Sequence, residues 1–294
     1  MTPAPAAARM IPHDTITSGA NPRVRQAASL RAADARRETG LTLVDGRREL
    51  SRAAAAGVEV LEVFVAADAF DEIAREGWFA ALAARGARVV ALPEKPFAKI
   101  AFGSRNEGCV AVVRFVPPPL ERFTAAADAA VLLVEGVEKP GNLGAILRTA
   151  DAAGLAGVIV CDGRTDLANP AVIRASLGTV FTVPVATATT RDTIAWCRDH
   201  GRRVIAAMPD GSRLWHEPPL TGGTAILLGS EALGVSPEWR RAAAAGTIAL
   251  DSVRLPMHGA ADSLNVSATA AVLAYESLRQ RNQRPAPPRP APPS

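Results

Sequence analysis

Three glycine-bearing segments hold the side chains best suited to chemistry, and each follows a short apolar run. The first is Glu138-Lys139-Pro140-Gly141-Asn142-Leu143-Gly144-Ala145-Ile146-Leu147-Arg148. It reads as a turn entering a helix, with Asn142 placed to cap that helix and Arg148 about two turns along it. A guanidinium there offers a planar fork of donors that matches a phosphate. The second is Leu227-Leu228-Gly229-Ser230-Glu231-Ala232-Leu233-Gly234-Val235-Ser236. It sets Glu231 between two glycines whose backbone can approach a ligand closely. The third is Leu255-Pro256-Met257-His258-Gly259-Ala260-Ala261-Asp262-Ser263-Leu264-Asn265-Val266-Ser267, where Ser263 or Asn265 can cap the helix that follows. Taken singly, each segment also has a plain reading: a capped helix with a solvated arginine, an ordinary strand-loop-helix junction, and another cap.

The elements that must position these segments alternate regularly. Apolar runs at 131–134, 158–161, 180–183, 203–207, 224–228 and 247–250 read as strands. Helical stretches fall between them at 143–153, after Asn169-Pro170, at 191–200, after Ser236-Pro237, and at 266–278. Short buried strands alternating with helices imply a parallel sheet covered on both faces, with ligands at the carboxyl ends of its strands. A smaller α/β module precedes it. Its first helix is expected to start at Asn21-Pro22 and to carry Arg23, Arg31 and Arg37 on one broad side, with Asp34 among them. Strands are expected at 41–44, 60–65, 87–92 and 110–115, and helices at 47–56 and 70–85. The run Val116-Pro117-Pro118-Pro119-Leu120-Glu121-Arg122 suits neither a sheet nor a helix interior and reads as a stiff linker. The organisation expected is therefore a disordered tail over 1–14, a small α/β module over 15–116, a proline-rich linker over 117–128, a regular α/β domain over 129–281 and a proline-rich disordered tail over 282–294.

A chain of 294 residues suits two domains, and 48% hydrophobic residues suffice for two cores. Apolar runs such as Val131 to Val134 are too short to cross a bilayer, and the Ala/Pro-rich stretch Met1 to Met10 does not read as a signal peptide, which points to the cytoplasm. Cys109, Cys161 and Cys197 lie far apart, as do His13, His200, His216 and His258, so neither a metal nor a disulfide framework is expected. The net charge of +4 rests almost wholly on arginine, because Lys95, Lys99 and Lys139 are the only lysines. That balance permits RNA binding and is equally what a codon bias toward arginine would produce. Neither a G-x-G-x-x-G turn nor a Gly-Lys-Ser/Thr phosphate loop occurs, which argues against a Rossmann or phosphate-loop enzyme.

In combination and order the three segments are far more specific than any one of them. Asn-x5-Arg with Gly144, then Gly-Ser-Glu-x-x-Gly, then Pro-Met with Ser-Leu-Asn-Val-Ser resemble the three motifs of the TrmH/SpoU branch of the SPOUT methyltransferases. Between them, Val172-Ile173-Arg174-Ala175-Ser176-Leu177-Gly178 is similar to a recurrent segment of that family. The likeness spans roughly 129–280, and the module from Asn21 is similar, less specifically, to the ribosomal-protein-like substrate domain of members that modify 23S rRNA, a group that includes antibiotic-resistance enzymes.

The resemblance implies a trefoil knot in the last part of the catalytic domain, against the general rule that chains do not thread. It implies S-adenosylmethionine held largely by backbone, with Gly229, Leu255 and Leu264 as contacts and Leu228 and Ser263 beside them. It implies a homodimer and a methyl transfer to a ribose 2'-hydroxyl, in 23S rRNA with a uridine among the candidate targets, or in a transfer RNA as the alternative. A catalytically silent RNA-binding factor on the same fold is a further alternative, against which the intact Asn142, Arg148, Glu231 and Asn265 speak. Arg148 is implied as the central residue. A guanidinium stays protonated, so its expected role is to grip the neighbouring phosphate and stabilise the developing alkoxide, with phosphate or water taking the proton. Asn142, Glu231 and Asn265 are expected to orient Arg148, the ribose and the cofactor loops.

Overall fold

A computed structural model describes residues 11–102 and 107–283. The tails expected to lack order fall mostly outside these limits, at 1–10 and 284–294. Residues 13–15 depart from that expectation: the His13 N–H donates to the Val89 carbonyl at 2.9 Å, and Asp14–Thr15 is a strand. The chain forms two compact units that do not follow its order. One unit comprises Met1–Pro118, Lys139–Arg148 and Thr165–Val183, and the other comprises Pro119–Glu138, Thr149–Arg164 and Pro184–Ser294.

The first unit is built on a mixed sheet of β1 (Asp14–Thr15), β2 (Leu41–Asp45), β3 (Glu59–Ala66), β4 (Arg88–Leu92) and β5 (Cys109–Arg114), in the order β1-β4-β3-β5-β2. Leu43, Phe64, Val90 and Val110 project from it into one core with Val24, Ala27, Leu30 and Phe97. The Asn21 side chain caps Pro22–Ser29 by accepting the Arg23 N–H at 2.9 Å. That helix does not continue to Arg37, as the sequence implied. Leu30 is fully buried and Ala32 is extended, so a second helix, Ala33–Thr39, starts there and ends at Gly40 with φ 66°. The three arginines therefore share no helix face. The stretch expected to be one helix at 70–85 is likewise two, Phe70–Ile73 and Gly77–Ala84.

Residues 165–183 complete this unit although they lie far along the chain. Asp166 pairs with Arg36 at 2.6 Å, and the Ala168 carbonyl accepts the Thr42 hydroxyl at 2.5 Å. In the helix Pro170–Ala175, capped by Asn169, Arg174 reaches Asp45 at 2.8 Å and the Phe102 carbonyl at 2.6 Å. Arg52 donates to the Leu177 carbonyl at 2.7 Å. The extended run expected at 180–183 is instead a tight turn over Thr179–Phe181. Leu177 and Gly178 take positive φ of 55° and 81°, and the Ser176 hydroxyl accepts the Gly178 N–H at 3.2 Å. A serine bonding nearby backbone in this way competes with strand formation, and the strand begins only after Pro184.

The second unit holds seven parallel strands: β6 (Val131–Glu135), β7 (Val158–Cys161), β8 (Val185–Ala188), β9 (Arg203–Ala207), β10 (Arg213–Leu214), β11 (Thr224–Leu228) and β12 (Ala249–Arg254). Their order is β10-β12-β9-β11-β6-β7-β8, and every pairing is parallel. One face, including Val131, Leu133, Ala225 and Leu227, packs with Ile194, Trp196 and Trp239 from the helices Thr190–Asp199 and Pro237–Ala244. The long helix Val266–Asn282 buries Ala270, Leu273 and Ala274.

From Pro119 onward, the segment expected to be a linker belongs to this unit. Leu120 and Phe123 are buried in its core, and Pro119 bridges to Thr187. Arg202 explains the rest. Its guanidinium, 3% exposed and 5.2 Å from the Trp196 ring, donates to the carbonyls of Ala125, Ala126, Ala127 and Ala129 at 2.7–3.3 Å. Proline stiffness set the expectation, and four carbonyls gathered on one buried cation decide the outcome. Replacing Arg202 by Met keeps the volume but strands these acceptors, and should cost about 3 kcal/mol of stability, read as a lower urea midpoint at unchanged slope. A chain shortened to begin at residue 129 would leave Asp166, Ala168, Arg174 and Leu177 without their partners. It should melt far below the full chain, and equal melting curves would show that the packing of residues 165–183 against residues 36–52 contributes nothing.

Candidate active site

The three segments singled out by their chemistry leave β6, β11 and β12 at their carboxyl ends, the edge where an open parallel sheet binds ligands. The first runs into the helix Pro140–Ala152. Proline suits the first helical position because its missing N–H needs no partner there. The helix thus starts three residues earlier than the sequence implied, and Asn142 lies inside its first turn, buried, rather than ahead of it as a cap. Leu143, Ile146, Leu147 and Ala150 are buried, whereas Arg148 is exposed and its side chain makes no hydrogen bond or ion pair among the described residues. Its fork is open to an anion. Gly144 has a separate task. A Cβ there would fall 2.4 Å from the Ala175 Cβ and 2.7 Å from backbone at Ala175 and Ser176, so the helix and the segment 172–178 meet backbone to backbone.

The second segment closes on itself. Leu228, the last residue of β11, is buried. Ser230 and Gly234 exchange two backbone hydrogen bonds of 3.0 Å, and the Ser230 hydroxyl accepts the Leu233 N–H at 3.0 Å. Gly229 lies against this closure, since a Cβ on it would fall 2.1 Å from the Gly234 carbonyl carbon. The sequence implied a glycine spared for a ligand, and the nearest neighbour found is the loop's own backbone. Glu231 is exposed, and its Oε2 accepts the Glu138 N–H at 3.5 Å, while the Glu138 carboxylate pairs with Arg164 at 2.6 Å.

In the third segment Leu255 is partly buried, and Ser263 and Leu264 are exposed. Asn265 caps Val266–Asn282: its Oδ1 accepts the Ser267 N–H at 2.8 Å and the Ser267 hydroxyl at 2.6 Å. The cap is therefore Asn265 and not Ser263.

Of the arginines expected on RNA, Arg23 clasps Asp14 and Glu62 within the first unit, and Arg31 donates to the Ala101 carbonyl at 2.6 Å with its guanidinium 4.7 Å from the Phe102 ring centre. Arg37 stays exposed beside Asp34.

Sequence reasoning missed the polar interior of the edge. Glu135 closes β6 at 5% exposure, with one oxygen on the Thr190 hydroxyl at 2.7 Å and the other on the Ser236 N–H at 2.8 Å. A glutamate ending a buried apolar strand is the signal that pointed to it, because a buried carboxylate must be matched by donors. Among the described residues the Ser236 hydroxyl has no hydrogen-bond partner, so Ser236 precedes the helix Pro237–Ala244 without capping it through its side chain. Burial pushes the neighbouring Cys161 thiol up, which leaves no thiolate nucleophile there. No three histidines, cysteines or carboxylates gather as metal ligands, and no helix is long and apolar enough to cross a membrane, among the described residues.

Comparison with known proteins adds independent findings. The model of the SpoU rRNA Methylase family matches residues 129–275, and that of the MRM3-like substrate binding domain matches residues 21–111. A 23S rRNA (adenosine(1067)-2'-O)-methyltransferase from Streptomyces laurentii is 34% identical over 83% of this chain and 87% of its own length. A 23S rRNA (uridine(2479)-2'-O)-methyltransferase from Streptomyces viridochromogenes is 32% identical over 61% of this chain and 63% of its own. The crystal structure of an AdoMet-bound rRNA methyltransferase from Sinorhizobium meliloti superposes with a TM-score of 0.79 at 29% identity, over 90% of this chain and 97% of that one. The close approach at Gly144 can be tested without any ligand. Gly144→Val should cost about 3 kcal/mol or more, because the obstructing atoms include backbone that cannot yield, and an unchanged thermal midpoint would refute the contact.

Proposed function

The chain belongs to the SpoU rRNA methylase family, and from that membership we infer that it transfers a methyl group from S-adenosylmethionine to a ribose 2'-hydroxyl of 23S rRNA. The observation that carries this reading is the loop 229–234, closed by paired backbone bonds at the carboxyl end of β11 next to β6. A loop of that kind presents peptide groups in fixed positions, and with Leu228, Leu255 and Leu264 at the ends of the neighbouring segments it suits an adenosine better than a lone phosphate. No acidic ribose clamp is then needed. Gly229, Leu228, Leu255, Ser263 and Leu264 are proposed to hold the cofactor, which supplies an activated methyl on a sulfonium leaving group.

Little covalent work then falls to the protein. The ribose oxygen takes the methyl as the carbon–sulfur bond breaks, and the hydroxyl proton passes to a phosphate oxygen or water. The residues of the chain must orient the reactants and stabilise charge. Arg148 is proposed to grip the adjacent phosphate and the developing alkoxide with its open fork. Asn142 and Glu231 are proposed to set the ribose and the loop, and Asn265 to fix the start of the last helix. RNA recognition is assigned to the module at 21–111. Among the arginines expected there, Arg37 is the one with its guanidinium largely in solvent, 72% exposed, while Arg23 and Arg31 also brace the fold.

We also propose a trefoil knot in the last part of the chain, a resemblance of the first module to a ribosomal protein, and a cytoplasmic homodimer. The knot is supported by the insertion of β12 between β9 and β10 and of β11 between β9 and β6, where simple winding would extend an edge. Which base is modified, and whether resistance to an antibiotic follows, would be decided by mapping ribose methylation on 23S rRNA with and without the protein.

Arg148 gives the sharpest test. Arg148→Ala should bind S-adenosylmethionine within about threefold of the wild type yet lose roughly 10²–10³ in methyl transfer to 23S rRNA, the usual scale for removing one such donor. Arg148→Lys should stay within about tenfold of the alanine variant, since an ammonium cannot replace a bidentate fork. Near-normal turnover by the lysine variant would overturn the assignment.

A further inference from the structure

The carboxyl edge of the seven-stranded sheet carries a line of hydrogen bonds, buried at its centre and part-buried at its ends, that the proposed chemistry does not use. Asp162 follows the last residue of β7 with φ 45°, and its Oδ2 accepts the Thr190 N–H at 2.8 Å. The Thr190 hydroxyl donates to Glu135 Oε1 at 2.7 Å, and Glu135 Oε2 accepts the Ser236 N–H at 2.8 Å. Glu135 is 5% exposed and Thr190 3%. The line thus runs from the end of β7, through the residue that opens the helix after β8, to the end of β6, and on to the far end of the loop that leaves β11.

The near end of that loop meets the same place. Gly136, at φ 63°, follows Glu135, and a Cβ there would come 3.2 Å from the Ser230 Cβ. Two successive residues therefore pin both ends of the loop 230–236, Gly136 by close approach and Glu135 by accepting the Ser236 N–H. Between the pins the loop is braced by its own Ser230 and Gly234 bonds, by Glu231 on the Glu138 N–H and by Val235 against the core, while Ala232, Leu233 and Gly234 are exposed, with Leu233 at 77%.

A buried carboxylate costs desolvation that an apolar residue would avoid, so it contributes little to stability for its own sake. What it supplies is a fixed position for a backbone N–H. A site made of backbone groups has no side chains to readjust, and it loses affinity when its frame shifts by a fraction of an ångström. We infer that Glu135, held in orientation by Thr190, is a positioning residue for S-adenosylmethionine binding: it sets the loop 230–236 through the Ser236 N–H and touches neither cofactor nor RNA. This rests on the proposed reading of that loop as the cofactor site.

The experiment is calorimetric titration of the full chain with S-adenosylmethionine and S-adenosylhomocysteine, with steady-state methylation of 23S rRNA alongside. Glu135→Ala should raise Kd and KM for the cofactor about 10–100-fold, the range for a support behind a binding group, with kcat at saturating cofactor within about threefold. Glu135→Gln should recover to within about threefold of the wild type. Its amide oxygen can accept the Ser236 N–H while its NH2 donates to the Thr190 hydroxyl, which then serves as acceptor. Ser236→Ala should leave Kd within about twofold, because the backbone N–H and not the hydroxyl makes the contact. If Glu135→Ala does not fold, Thr190→Val decides: it keeps the Asp162 bond and the volume, and should raise Kd at least about threefold at a near-normal thermal midpoint. Unchanged Kd in a folded Glu135→Ala or Thr190→Val, a folded Glu135→Gln that binds as poorly as alanine, or a loss confined to kcat would each overturn the inference. A wild-type chain that binds neither ligand would instead overturn the cofactor reading on which it stands.

Discussion

A carboxylate removed from water must be met by hydrogen-bond donors, and at Glu135 that requirement organises the functional edge of the sheet. Its two oxygens take one donor each from segments that leave different strands, the Thr190 hydroxyl and the Ser236 N–H. Parallel strands make such a device necessary. Each strand ends on the same side, and each following loop must turn back over the sheet with backbone groups unsatisfied by the ladder. Here the loop after β11 settles most of its own needs through the Ser230 and Gly234 pair and leaves one N–H for Glu135. The close approaches of Gly136 to the Ser230 side chain and of Gly229 to the Gly234 backbone belong to the same arrangement, since a side chain at either would press on the loop.

The first unit depends on a different constraint. β2 is the last strand of its sheet, and its polar side chains face residues from far along the chain. Thr42 is fully buried and Asp45 nearly so, each satisfied from the segment 165–183. That segment is similar to one that recurs in the family, and its residues show why it has its form: Ala175 is small enough to meet Gly144, Arg174 reaches Asp45, and Gly178 sits with φ 81° against the Glu49 backbone at a Cβ distance of 3.0 Å.

Much of this was legible beforehand. The strands of the parallel sheet declare themselves because each is an apolar run of buried length between turn residues: four of the six expected were found within a residue at the ends, and a fifth, expected at 247–250, lies at Ala249–Arg254. The ordered triplet of motifs gave the family. What could not be read was whatever depends on partners distant in sequence. The turn at 179–181 looks like a strand until Ser176 is seen to bond its backbone. The proline-rich segment looks like a free linker until Arg202 is found beneath it. Arg23, Arg31 and Arg37 fall on one side of a helix that Leu30, by burying itself, interrupts. Among the candidate site residues, side-chain type drew attention to Arg148, but the place of Asn142 within its helix depended on Pro140, and Glu135 had no motif to mark it.

The division of the chain between its units has a temporal meaning. The first unit draws on Met1–Pro118, then on Lys139–Arg148, and is complete only with Thr165–Val183. During synthesis the sheet β1–β5 can be assembled when Pro118 has emerged, but Thr42 and Asp45 must wait for Ala168 and Arg174, 50 and 56 residues later. At about 5–20 residues per second that wait is roughly 3–11 s, during which the Thr42 hydroxyl lacks its acceptor and Asp45 has the Phe102 N–H but not its arginine. Nascent chains in this interval are the ones most open to capture by chaperones or to pairing with one another, and slowing translation between residues 118 and 183 would lengthen it.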